Sequence, residues 1–190
     1  MQCACAESAT SLRLTRPATL WSRAAMSVSV DLQARTISAS VRDLAQGFGS
    51  GARAGFGLLG RARAELGQRV HQRYRRDREK VVGFRAEVPV TLALEVDGFQ
   101  ASIGGRIDGL IRGPGGLIVE EVKSVTLGGA ELAHADAEMF PEYSLQARLY
   151  GLALARQQPD VRLTGRLILI SLLDDTRHEV LVELQPEQTE

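Results

Sequence analysis

Two turn signals set close together in the middle of the chain restrict its fold more than any other feature. Residues 86–96 (AEVPVTLALEV) alternate and run into Asp97-Gly98, a pair that accepts the positive φ angles of a two-residue hairpin. A second strand, Phe99 to about Ile111, meets Gly113-Pro114-Gly115-Gly116, and a third, Leu117–Ser124, follows at once. Strands joined this tightly must be antiparallel neighbours, because a parallel pair needs a crossover of roughly a dozen residues.

Helical patterns bracket this meander. Upstream, Ser38 to about Gln46 carries a short one (Val41, Leu44, Ala45), and the glycine-rich stretch from Gly47 to Gly57 reads as a loop. Leu58–Arg78 then places Leu59, Ala62, Leu66, Val70 and Tyr74 at three- and four-residue steps, the mark of an amphipathic helix. Downstream, residues 125–140 read as a loop with a short helix. Pro141 precedes a helix at Glu142–Gln157, expected to bury Tyr143, Leu145, Leu149, Leu152 and Ala153 on one side. Strands Leu163–Leu173 and His178–Leu184, joined through Asp174-Asp175, complete the pattern. The order of helix, three strands, helix and two strands is that of an α+β fold.

At 190 residues the chain suits one domain, expected at 38–184, with residues 1–37 a disordered extension and 185–190 a tail. Residues 1–25 lack the apolar core of a secretory signal. They suit either an Arg- and Ser-rich organelle transit peptide or a start codon placed too early, with Met26 the preferred true start. No apolar run approaches the ~18–20 residues needed to cross a bilayer, so no membrane association is expected. The only cysteines, Cys3 and Cys5, cannot hold a four-cysteine zinc site or an iron–sulfur cluster, nor build a disulfide framework. A cytoplasmic, bacterial-type intracellular protein is the expectation.

The formal net charge is zero, yet residues 51–80 carry nine basic side chains against three acidic ones. Such a segment suits a polyanion, although a solvated helix face is the plainer reading. Of 23 basic residues, only Lys80 and Lys123 are Lys. A Lys kept in so Arg-biased a chain points to a role for a compact point charge.

Chemistry concentrates on the second and third strands. If the turn at 113–116 is symmetric, Arg112 faces Leu117 and Asp108 faces Glu121. Two carboxylates about 5 Å apart repel, and a hard divalent cation between them is the economical compensation. Lys123 lies two residues after Glu121 and therefore shares its face. A surface ion pair is the ordinary explanation, but the apolar flanks Leu117, Ile118, Val119 and Val122 describe a deep strand. An ammonium there could orient water and neutralise charge on a phosphate. Gln146 and Tyr150, four apart, share a helix face. His71 stands among Arg69, Arg73 and Arg75, four residues after Gly67.

Asp108 in GGRIDG, Glu121-Val122-Lys123 in IVEEVKS, and Gln146 with Tyr150 in QARLY together resemble the PD-(D/E)XK nuclease superfamily. The Q-x-x-x-Y helix and the upstream G-x-x-x-H setting of His71 resemble its RecB-type branch, as in nuclease domains associated with repair helicases and CRISPR adaptation. The resemblance runs over residues 38–184. It implies a restriction-endonuclease-like core, a central mixed sheet flanked by helices. It also implies a Mg²⁺- or Mn²⁺-dependent deoxyribonuclease of RecB-like exonuclease type, serving DNA repair, recombination or defence. His71, Asp108, Glu121 and the Val122 carbonyl would bind the metal, Lys123 would position or activate the water, and Gln146 and Tyr150 would shape the site or touch the DNA backbone. Arg69, Arg73, Arg75 and Arg76 would hold single-stranded DNA or DNA ends without regard to sequence. Glu87 has a counterpart in many relatives without a catalytic role assigned, and Glu120 competes with Glu121 but points away from Lys123. No phosphate loop of a motor ATPase is present, so any helicase partner is a separate chain. A catalytically inactive nucleic-acid-binding or scaffold subunit of the same fold is the alternative.

Overall fold

A computed structural model describes residues 28–47 and 58–184. The meander forms as its turns require: β3 (Phe84–Val96), β4 (Phe99–Gly113) and β5 (Gly116–Val125) are consecutive antiparallel strands. At the first turn Val96 pairs with Phe99, and Asp97 and Gly98 take φ 51° and 77°, the signature of a type I′ hairpin. At the second, Gly113 pairs with Gly116. With β1 (Ser29–Asp31), β2 (Thr36–Ser40), β6 (Leu163–Ser171) and β7 (Arg177–Val182), they build one seven-stranded mixed sheet, ordered β1-β2-β4-β5-β6-β7 with β3 on β4. The helices are α1 (Val41–Gly47), α2 (Leu58–Arg78), α3 (Gly129–Leu132) and α4 (Pro141–Gln157), and the fold is α+β with a mixed sheet flanked by helices.

Three expectations need correction. The short helix does not begin at Ser38, because Thr36–Ser40 is a strand parallel to Gln100–Gly104 of β4. The lone segment TISAS carries too few residues to reveal a strand whose partner lies some sixty positions away. For the same reason the ordered fold reaches back beyond residue 38: Ser29–Asp31 pairs with Thr36–Ser38, which puts all of β1 and the first two residues of β2 inside the expected disordered extension. Third, α4 buries a face that shares only Ala153 with the expected one. Leu152 is exposed, Leu145 and Leu149 are half-buried, and the fully covered positions are Ser144, Gln146, Ala147, Tyr150, Gly151, Ala153 and Leu154. Close approach to the sheet selects small residues, so the helix turns its small and polar stripe inward. The expectations for residues 1–25, the loop 48–57 and the tail 185–190 lie outside the described residues.

The long strand β4 creates the feature on which the site depends. One edge is occupied by β3 along its length. The other edge is shared, β2 pairing Gln100–Gly104 and β5 pairing Gly109–Gly113. Between them, at residues 105–108, that edge has no strand partner, and β5, which pairs in parallel with β6 over Leu117–Val125, parts from β4 there. The alternation of β5 sends Leu117, Val119 and Glu121 towards α4, and Glu120 and Val122 towards α2. The main core gathers Val119, Leu167 and Leu169 with Ala147, Tyr150 and Leu154. A smaller cluster of Val122, Ile168 and Ile170 packs under Val70 and Tyr74 of α2.

Candidate active site

The ladder between β4 and β5 follows the expected register from Gly113↔Gly116 to Gly109↔Glu120 and stops there. Asp108 and Glu121, the next pair, do not form a backbone rung. Instead the strands open, and Asp108 Oδ2 accepts the Val122 N–H at 2.9 Å, taking the place of a strand carbonyl. The two carboxylates nevertheless share one electrostatic environment: burial, and after it the charge of Asp108, push Glu121 up to about 7, against the opposing pull of Lys123.

Each remaining member comes from a different element. Lys123 Nζ lies 2.6 Å from Glu121 Oε1 and donates to Gln146 Oε1 at 3.1 Å. Gln146 in turn donates through Nε2 to the Tyr150 hydroxyl at 3.2 Å, so the i, i+4 pair on α4 acts as one relay. Burial, then the Glu121 charge, raises the Tyr150 hydroxyl well above the usual phenol range and keeps it neutral. Lys123 also lies 5.0 Å from the ring centre of Tyr143, which stacks on Phe140. Gly105 permits this closure, because a Cβ there would stand 2.7 Å from Tyr150 Cε1 and 3.0 Å from Val41 Cγ2. From α2, His71 Nδ1 reaches Asp108 Oδ1 at 3.5 Å. Gly67 helps bring it there, since a Cβ at 67 would press on Ser124 Oγ at 3.2 Å. Exposure grades from Glu121 (1 %) through Lys123 (14 %) and Asp108 (25 %) to His71 (38 %), so the cluster opens to solvent at its His71 end.

Glu121 Oε2 is buried without a hydrogen-bond partner. An ionisable oxygen in that condition is costly unless something outside the chain meets it. Among the described residues, no three His, Cys, Asp or Glu side chains stand close enough to enclose a cation as they are. Lys123 holds one oxygen of Glu121, and the Val122 amide holds one of Asp108. The hard oxygens of Asp108 and the unpartnered Oε2 nonetheless fit Mg²⁺ or Mn²⁺ in chemistry.

No family model and no curated protein matches the sequence. Among solved structures, the fold is similar to that in the crystal structure of SSO0001. The TM-score is 0.52 and the identity 19 %, over 78 % of this chain and 69 % of that one, a likeness of fold alone.

The expected basic surface is only partly free. Arg73 pairs with Asp175 at 2.5 Å, and Arg75 with Glu87 at 3.4 Å. Arg69 and Arg76 are exposed and form no ion pair among the described residues. They border a groove of about 370 Å³ with Leu66, Val70 and Asp175, which includes none of the residues around Glu121.

Sequence reasoning missed the network behind β5. Glu120 is fully buried and is held by Arg78, by the Tyr74 hydroxyl and, at 3.9 Å, by Arg166. Arg78 and Arg177 lie over the Tyr74 ring at 5.8 and 5.1 Å. A signal existed: in IVEEV one glutamate must face away from Lys123 into another covered layer, where Tyr74 and Arg78, four apart, share a helix face. His178 lies 3.3 Å from the Ala135 carbonyl. No helix among the described residues is long and apolar enough to cross a membrane.

Proposed function

We propose that this chain is a Mg²⁺- or Mn²⁺-dependent nuclease of the PD-(D/E)XK type, with a restriction-endonuclease-like core, that hydrolyses DNA phosphodiester bonds. The observation that carries the reading is the meeting of Asp108, Glu121 and Lys123 where β4 and β5 diverge, with Glu121 Oε2 buried and unpartnered. The structural pairing of Glu120, by contrast, leaves no such oxygen.

Asp108, Glu121, His71 and the Val122 carbonyl would hold the cation. When bound, it supplies Lewis acidity towards a phosphate oxygen and acidifies water. Lys123 does the rest. Its ammonium, held between Glu121 and Gln146, orients the attacking water and offsets charge growing on the phosphate. Gln146 fixes that ammonium, and Tyr150 fixes Gln146. Arg69 and Arg76, which border a groove apart from the Glu121 cluster, would hold the DNA backbone by charge away from the scissile bond, which gives little sequence preference and strong salt dependence. A helicase in a separate chain would supply single strands or ends.

Purified protein is to be incubated with end-labelled single- and double-stranded DNA in Mn²⁺, Mg²⁺ or EDTA. Cleavage is expected with either metal and not with chelator. Lys123→Ala should lower the rate by about 10²–10³-fold, the scale of losing one preorganised electrostatic contact, and Asp108→Ala at least as much. A Lys123→Ala protein that cuts as fast as wild type overturns the mechanism.

A further inference from the structure

One charged group at the mouth of the site has no role in the chemistry above. Glu87 lies on the β3 position opposite Asp108, between the paired rungs Ala86↔Gly109 and Val88↔Ile107. Its backbone departs from the strand, with φ 52°, a left-handed conformation that a non-glycine residue keeps only when its surroundings impose it. Its carboxylate meets two guanidinia, one on each oxygen: Arg75 at Oε1 and Arg106 at Oε2, both at 3.4 Å. All three side chains are substantially exposed.

The positions of those guanidinia are informative. Arg75 is one helical turn beyond His71 on α2, and Arg106 is two residues before Asp108 on the same face of β4. His71 and Asp108 themselves meet. The arginine pair thus repeats the His71–Asp108 pair one step along both elements, a displacement of about 6–7 Å by strand rise and helix pitch. Two cations separated by a planar oxyanion, one per oxygen, are also the arrangement that grips the two free oxygens of a phosphodiester.

We propose that Arg75 and Arg106 form a seat for the backbone phosphate next to the scissile one, and that Glu87 fills this seat until a polynucleotide displaces it. This deepens the nuclease reading and rests on it. Exposed pairs at 3.4 Å contribute little, so exchange of a carboxylate for a phosphate is cheap. The seat makes the site prefer a chain of at least two phosphates over a single phosphate ester, and Glu87 acts as a built-in competitor that rejects weak anions.

The test is binding of a fluorescently labelled single-stranded oligodeoxynucleotide by the full chain in EDTA, across a salt series, with inorganic phosphate and a 5′-mononucleotide as competitors. Glu87→Gln, close to isosteric, should tighten oligonucleotide binding about two- to fivefold, the worth of an exposed ion pair. It should also lower the concentration at which inorganic phosphate competes by about the same factor. Arg106→Ala should weaken binding and flatten the log–log salt slope by about 0.7, one single-strand phosphate, and Glu87→Gln added to Arg106→Ala should restore little. Arg106→Lys should recover some of the slope without the full affinity. Unchanged affinity in Glu87→Gln, or an unchanged slope in Arg106→Ala, overturns the seat while leaving the nuclease reading intact. Wild type that binds no oligonucleotide at low salt overturns the nucleic-acid reading and the seat together.

Discussion

Glu120 and Glu121 are neighbours in one strand, both buried from solvent, and their surroundings could hardly differ more. Glu120, on the α2 side, has both oxygens engaged by Arg78 and the Tyr74 hydroxyl, with Arg166 nearby. Glu121, on the α4 side, has one oxygen against Lys123 and the other unpartnered. Burial alone therefore does not distinguish a fully paired carboxylate from one with an oxygen left over; the completeness of its hydrogen bonding does. A fully satisfied buried charge is costly to disturb and has nothing left to offer a ligand. An incompletely satisfied one is held in a poor environment by its neighbours, and it gains when a cation arrives.

The most severe break of this comparison is Arg78→Ala. It leaves Glu120 charged and buried with only Tyr74 and a distant Arg166, and should lower stability by about 3–5 kcal/mol in urea unfolding. An Arg78→Ala protein as stable as wild type would mean that Glu120 is not the structural member of the pair.

Glu121→Gln sharpens the contrast through pH. The carboxyl titrates at 4.5 when unperturbed and at about 7 in the fold, so between those values the native state binds the extra proton. In metal-free wild type the contribution of this group should be fullest below about pH 4.5. It should then fall by about 1–3 kcal/mol as pH rises to about 7, with no further loss above that. Glu121→Gln should lack that decline while losing cleavage. Parallel stability-versus-pH curves for the two proteins would contradict the assignment.

The mildest change is Tyr74→Phe, which keeps the ring between Arg78 and Arg177 and removes one hydroxyl from Glu120. A loss of roughly 1–2 kcal/mol in thermal or urea unfolding is expected, with the metal-dependent rate nearly unchanged.

Much of the scaffold was legible because its determinants are local. Asp97-Gly98 and the glycines at 113–116 set the meander and its register without help from distant residues, and Leu58–Arg78 declares its helix by spacing alone. The placement of Glu121 with Lys123, and of Glu120 away from both, follows from the two-residue period of a strand. By contrast β2 gave no sign of itself, since five residues become a strand only when β4 offers an edge. The buried face of α4 was misjudged, because apolar count points to Leu145, Leu149 and Leu152, whereas close packing on the sheet selected Ala147, Gly151 and the polar pair Gln146 and Tyr150. The same geometry drew Arg73 and Arg75 into ion pairs that a charge count reads as free.

The order of residues alone settles which groups are chemically apt and on which side of its own strand or helix each stands, for turn chemistry and periodicity act over a few positions. The packed fold adds that β4 and β5 separate a single rung before Asp108 would meet Glu121, that Val122 gives its amide to Asp108, and which glutamate is left wanting a partner. Those outcomes depend on β2 and β5 sharing one edge of β4 and on α2 and α4 packing against opposite faces of β5, and contacts between segments far apart in sequence leave no periodic trace within any one of them.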